Sequence, residues 1–212
     1  VRNSNGDSTT DIRYVSHTII PGKPRIPGLP ATYVNDDREA DTLRICMEDP
    51  VTGVKATLRY CVFHEMGVIT RSVILENGGD TPCRLERAMS LCVDLPSMEY
   101  DMITLYGRHV RERNYCRRAL ARGIQGVESK RGSSSHTQNP FTALVSRGAN
   151  EDHGWCYGFN LVYSGNFTAM AECDFNATTR FIMGINPTDF SWKLEPGESF
   201  HTPEAVMVFS DK

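Results

Sequence analysis

Thr42-Leu43-Arg44-Ile45-Cys46-Met47, then Leu58-Arg59-Tyr60-Cys61-Val62, then Val68-Ile69-Thr70-Arg71-Ser72-Val73-Ile74-Leu75: the reading of these three stretches decides the fold. In the first, Leu43, Ile45 and Met47 alternate with Thr42, Arg44 and Cys46, and in the second Leu58, Tyr60 and Val62 alternate with Arg59 and Cys61. Side chains that change face at every residue belong to strands, where every second position shares one face. The third stretch is a β-branched run. Pro50-Val51-Thr52-Gly53 separates the first two, and Asn77-Gly78-Gly79-Asp80 ends the third. Both are turn sequences, and glycine and asparagine make the second a strong one.

The same pattern continues outward. Asp11–Ile20, Arg84–Val93, Tyr100–Val110, Phe141–Val145, Tyr157–Tyr163, Phe167–Cys173, Thr178–Ile185 and Ser199–Phe209 read as strands. Gly165-Asn166, between Tyr163 and Phe167, reads as a tight hairpin connection. Val110–Ala121 is the one helical candidate, and it lacks an apolar stripe at three-four spacing. About ten strands joined by short turns predict an all-β antiparallel domain that buries its faces by stacking two large sheets. Pro21–Pro30 reads as an extended segment crossing the surface, and Arg131–His136 as a second irregular loop.

The 212 residues are read as a single domain, 1–212, with 40% hydrophobic and 23% charged residues. Lys plus Arg number 23 against 26 Asp plus Glu, so the basic excess of a nucleic-acid or membrane-surface binder is missing. Apolar runs such as Ala205–Phe209 are too short to cross a bilayer. Seven widely spaced cysteines without a C-x-x-C read as free, buried thiols in a reducing cytoplasm. No metal site or cofactor motif is expected. A chain that opens on Val1, with a strand ten residues in and another ending two residues before Lys212, reads as one folded piece of a longer polypeptide.

Few constellations carry chemistry. The acidic run Asp36-Asp37-Arg38-Glu39-Ala40-Asp41 fits no EF-hand spacing and reads as a solvated turn entering a strand. Arg108-His109-Val110-Arg111-Glu112-Arg113-Asn114-Tyr115-Cys116-Arg117-Arg118 is the most basic segment. As a strand it places His109, Arg111, Arg113, Tyr115 and Arg117 on one face, whose forked donors suit phosphate, carboxylate or sugar hydroxyls; the alternative is an exposed, salt-bridged strand. Ser134, Ser135, His136 and Asn139 share a loop that reads as stapled by its own hydrogen bonds rather than catalytic, since no G-x-S-x-G elbow is present. Trp192 is expected in the core, and Trp155 either there or at the surface.

Longer phrases carry a resemblance. Leu29-Pro30-Ala31-Thr32-Tyr33-Val34, Glu128-Ser129-Lys130-Arg131-Gly132-Ser133-Ser134-Ser135-His136, Val162-Tyr163-Ser164-Gly165-Asn166-Phe167, Met183-Gly184-Ile185-Asn186-Pro187 and Leu194-Glu195-Pro196-Gly197-Glu198-Ser199-Phe200 occur in that order. The chain, from Asp11 to Lys212, resembles the amino-terminal domain of bacterial α-galactosidases of glycoside hydrolase family 36. The resemblance implies a two-sheet antiparallel β-supersandwich of the galactose-mutarotase-like type, amino-terminally truncated and lacking its first two or three strands. It implies a parent enzyme that removes terminal α-galactosyl residues from melibiose- and raffinose-type oligosaccharides with retention, using two aspartates of a catalytic barrel outside this chain.

It further implies a cytoplasmic bacterial protein, partnered by its own barrel, by a galactoside substrate and by copies of itself in a tetramer, with no nucleic acid or membrane. No catalytic residue is then expected here. Gly107-Arg108-His109-Val110-Arg111-Glu112-Arg113 resembles a family pattern Gly-x-Trp-x-Arg-Glu-Arg, with His109 in place of the tryptophan. The resemblance therefore implies substrate-side roles for His109, Arg111 and Glu112: His109 bordering the galactose pocket, Arg111 and Glu112 holding the strand. The Ser134–Asn139 loop is expected to buttress the barrel. A stand-alone carbohydrate-binding module and a purely structural assembly domain are the competing readings.

Overall fold

The computed structural model describes residues 1–211. Its elements in chain order are β1 (Arg13–Pro21), a 3-10 turn (Asp37–Glu39), β2 (Ala40–Glu48), β3 (Val54–Phe63), β4 (Val68–Asn77), β5 (Cys83–Leu85), β6 (Met89–Leu95), β7 (Tyr100–Arg108) and β8 (Arg111–Ala119). They continue with β9 (Gly123–Glu128), β10 (Gln138–Ser146), β11 (Cys156–Val162), β12 (Phe167–Cys173), β13 (Thr179–Ile185), β14 (Trp192–Leu194), β15 (Ser199–His201) and β16 (Glu204–Ser210). A ten-stranded sheet runs β1-β2-β3-β4-β16-β11-β10-β7-β8, with β15 also on β4. A four-stranded sheet runs β6-β13-β12-β9, and β5 and β14 form a small ribbon. The pairings between strands are antiparallel.

The all-β, stacked-sheet expectation holds, and the differences have local causes. Val110–Ala121 is no helix: residues 111–119 form β8, because Val110, Tyr115 and Leu120 recur every five residues and supply no helical stripe. Arg84–Val93 divides into β5 and β6, which join different sheets. Ser199–Phe209 divides at Thr202-Pro203, where the Thr202 hydroxyl accepts the Val73 N–H at 2.9 Å. Gly165-Asn166 joins no hairpin either. β11 lies in the larger sheet and β12 in the smaller, so this connection carries the chain from one layer to the other.

The core lies between the layers. Tyr100, Met102, Leu144, Phe159 and Leu161 of the larger sheet meet Leu91, Phe167, Ala169, Phe181 and Met183 of the smaller. Phe159 and Phe181, both fully buried, stack with ring centroids 4.0 Å apart. The smaller sheet reaches β4 and β16 through β6, and the Arg71 guanidinium of β4 donates to the Cys92 carbonyl of β6 at 2.9 Å. Beyond it, β1–β3 form a wing whose core-side residues Leu43, Ile45, Leu58 and Tyr60 are only half-buried, with Tyr14 59% and Ile19 67% exposed.

On the outer face, residues 21–35 form a strap over the sheet. Its anchor is a buried ion pair, Lys23 Nζ to Glu204 Oε1 at 2.6 Å. The second carboxylate oxygen accepts the Thr32 N–H at 2.7 Å and its hydroxyl at 2.9 Å. Arg59 and Thr42 donate to the carbonyls of Pro24 and Gly22, each at 2.7 Å. The seven cysteines are free thiols, of which Cys61, Cys83 and Cys173 are buried and Cys92 is exposed. No helix among the described residues is long and apolar enough to cross a membrane.

Phe181→Ala should remove about 3–5 kcal/mol of unfolding free energy in a urea titration; a loss under about 1 kcal/mol would show that the layers close without that stack. Glu204→Ala strands the Lys23 ammonium in the interior and should remove a similar amount, about 3–5 kcal/mol. It should also speed tryptic cleavage after Arg25, and an unchanged cleavage rate would mean the strap is held by something else.

Candidate functional site

The β7–β8 hairpin carries the predicted residues beyond the region where the two sheets stack. Tyr106 pairs with Asn114 and Arg108 with Arg111, so Gly107 faces both Glu112 and Arg113, a bulge. His109 and Val110 form the two-residue turn. The strand-face expectation is therefore corrected: Tyr115 and Arg117 lie opposite Leu105 and Ile103 on one face, but His109 sits in the turn and the bulge resets the alternation at Arg113.

His109, Arg111 and Glu112 are all exposed at this tip. Glu112 Oε1 accepts the Val110 N–H at 2.9 Å, and the Asn114 amide donates to the Arg111 carbonyl at 2.7 Å. Among the described residues no hydrogen bond or ion pair engages the guanidinium groups of Arg108, Arg111 or Arg113, which leaves those donors open to a ligand or partner. Further down the strand the salt-bridged reading applies. Arg117 binds Asp101 at 2.7 Å and the Ala149 carbonyl at 2.6 Å, and the Asp101 carboxylate raises the Arg117 pKa.

The hairpin stands beside the loop that the sequence singled out. The Gly107 N–H donates to the Thr137 carbonyl at 3.3 Å, and the Gln138 amide to the Leu105 carbonyl at 2.9 Å. Ser129 donates to the Ser133 carbonyl at 2.6 Å, Ser134 to the Tyr163 carbonyl at 3.1 Å, and the Ser135 hydroxyl accepts the Thr137 N–H at 3.1 Å. The hydroxyls are thus engaged with backbone, as a self-stapled loop requires, and no Ser–His pair forms with His136 among the described residues. Asn139 Oδ1 is buried without a partner among the described residues.

Asn186 and Asn166 knit this end together. The Asn186 amide donates to Glu128 at 3.0 Å and to the Ser129 carbonyl at 3.1 Å; Asn166 Oδ1 accepts the Gly132 N–H at 2.7 Å. Lys130, 2.7 Å from Glu128, holds that carboxyl below the usual carboxylate range, with Asn186 assisting. Glu128, Lys130, Arg131, Ser135 and Gln138 line a polar cleft of about 290 Å³. Neither asparagine stood out in the sequence as a site residue, since nothing local marks a side chain whose loop partners lie more than thirty residues away.

Three other sequence candidates resolve elsewhere. The acidic run is a capped 3-10 turn, with Asp36 accepting the Arg38 N–H and Glu39 reaching back to the Asp36 N–H at 3.1 Å, as a solvated turn entering β2. Trp192 is not in the core: it is 50% exposed on the β5–β14 ribbon, 5.4 Å from the Phe200 ring, because Leu194 takes the buried position of that short strand. Trp155 is exposed. No group of three His, Cys, Asp or Glu side chains among the described residues is placed to hold a metal ion.

Comparison with known proteins identifies the family and the fold. Residues 1–195 match the model of the glycosyl hydrolase family 36 N-terminal domain. The chain is 52% identical over its whole length to α-galactosidase AgaA of Geobacillus stearothermophilus, covering 29% of that protein, and superposes on its crystal structure over 99% of the chain with a TM-score of 0.97. A variant of that enzyme solved in complex with stachyose gives a TM-score of 0.98 at 52% identity, over 100% of this chain and 29% of that one. The bifunctional α-galactosidase/sucrose kinase AgaSK of Mediterraneibacter gnavus is 40% identical over 99% of this chain and 22% of its own length; its solved galactosidase domain gives a TM-score of 0.95, with this chain covering 29% of it. The chain thus spans 22–29% of the length of these relatives, and it belongs to the family of glycoside hydrolase family 36 amino-terminal domains.

Proposed function

We propose that this chain is the non-catalytic amino-terminal domain of an α-galactosidase acting on raffinose-type oligosaccharides, and that its β7–β8 hairpin forms part of the wall of the galactose pocket. The observation that carries this reading is the tip itself: an imidazole and open guanidinium donors on a braced turn, held away from the core and beside a polar cleft. Relatives crystallised with raffinose and stachyose support the substrate class.

A retaining glycosidase needs two carboxyl groups about 5–5.5 Å apart, one as nucleophile and one as acid/base. Here Glu112 is engaged with the Val110 amide and Glu128 with Lys130 and Asn186. Because the chain matches the N-terminal domain of the family, bond cleavage is assigned to the remainder of the parent, its catalytic barrel. His109 contributes a hydrogen bond to a sugar hydroxyl and Glu112 holds the turn; Arg111, expected to hold the strand, has no side-chain partner among the described residues and instead leaves a cation open beside His109. The half-covered wing of β1–β3 supports contact with further polypeptide of that parent. The exposed edge strand β1 supports assembly into a homo-oligomer, a tetramer, and seven free thiols support a cytoplasmic location.

The purified chain should release no p-nitrophenol from p-nitrophenyl α-galactoside above buffer, and steady turnover would contradict the reading. In the full-length enzyme His109→Ala should raise KM about tenfold, the worth of one hydrogen bond near 1.4 kcal/mol; unchanged kinetics would remove His109 from the pocket.

A further inference from the structure

The turn at the hairpin tip is an unfavourable one. Two-residue hairpin loops favour glycine or asparagine where the backbone is left-handed. Here that position is Val110, at φ 66°, and Arg113 three residues on has φ 54°. A β-branched residue is among those least tolerant of this region. Val110 is 77% exposed, so burial of its side chain does not hold it there. Strained backbone of this kind persists only where neighbouring groups fix it.

Those groups are local to the tip. Glu112 Oε1 accepts the Val110 N–H at 2.9 Å, and Asn114 holds the Arg111 carbonyl. Gly107 permits the close crossing: a Cβ there would stand 2.5 Å from the Arg111 carbonyl oxygen and 2.7 Å from Glu112 Cα. The amide that Glu112 grips belongs to the peptide unit joining His109 to Val110. That unit is planar, so fixing it fixes ψ of His109 and φ of Val110 together. Released, the turn can relax out of its left-handed conformation, and the tip backbone that carries the His109 imidazole shifts with it.

We propose that Glu112 is a positioning residue which, by clamping the His109–Val110 peptide in a strained turn, sets the direction in which His109 meets a sugar hydroxyl. The proposal rests on the reading of His109 given above. It makes the acidic member of this arginine-rich segment an internal brace rather than a counter-ion or a substrate ligand.

The test uses the full-length enzyme with raffinose. Glu112→Ala should raise KM about fivefold while kcat changes less than about threefold, the signature of lost binding common to ground and transition states. Glu112→Gln should keep KM within about twofold, because its amide oxygen still accepts the Val110 N–H. Val110→Asn, a residue at ease in the left-handed region, should recover at least about half of the loss when added to Glu112→Ala. Unfolding midpoints within a few degrees show that the variants fold. An unchanged KM in Glu112→Ala, or Gln as damaging as Ala, overturns the proposal. His109→Ala measured alongside separates the failures: if it raises KM while Glu112→Ala does not, the brace falls and the pocket reading stands; if neither moves KM, both fall.

Discussion

A sheet of ten strands has more apolar face than a sheet of four can cover, and that mismatch organises the molecule. The smaller layer packs on β4, β16, β11, β10 and β7, where the Phe159–Phe181 stack closes the core. Aromatic and aliphatic burial of this kind supplies most of the driving force for folding. The outer face is closed differently. There a strap is tied by a carboxylate, Glu204, whose two oxygens are both taken up by partners from the strap itself. A buried charge is tolerable only when so fully partnered.

What lies outside the stacked region is correspondingly free to serve something else. The β1–β3 wing runs beyond the smaller sheet at one end, and the β7–β8 hairpin extends at the other. The hairpin is stiffened by side chains of its own and by two contacts with the residues 129–138 loop. That loop is in turn held by Asn166 and Asn186, so three of the phrases that carry the family resemblance, around Ser133, Gly165 and Asn186, meet at one place in the fold. Their shared task is to fix a loop end in space. On the proposed reading of the hairpin as a pocket wall, such rigidity has a use, because a misplaced polar group forfeits most of its contribution to binding.

Much of this was legible in the sequence. Alternation in residues 42–47 and 58–62 specifies strands without ambiguity, and the ordered phrases identify the family. The layer assignment of each strand was not legible. Gly165-Asn166 looks like a hairpin turn because turn chemistry is local, whereas the decision to pair or to cross to the other sheet is made by burial of Phe167 and Phe159 against opposite partners. Trp192 shows the same limit: its size favours the core, but three-residue β14 has room for one buried side chain and Leu194 occupies it. At the hairpin, His109, Arg111 and Glu112 could be picked out, but not the left-handed turn, since a valine gives no warning of positive φ.

The most direct test of the central claim, that this domain supplies a wall to a pocket whose chemistry lies elsewhere in the parent, is a crystal structure of the full-length enzyme with raffinose bound. The account predicts the His109 imidazole within about 3.2 Å of a galactosyl hydroxyl or of one bridging water, and the cleaving carboxylates outside residues 1–211. A hairpin tip facing bulk solvent, or a sugar held against carboxylates of this chain alone, would contradict it.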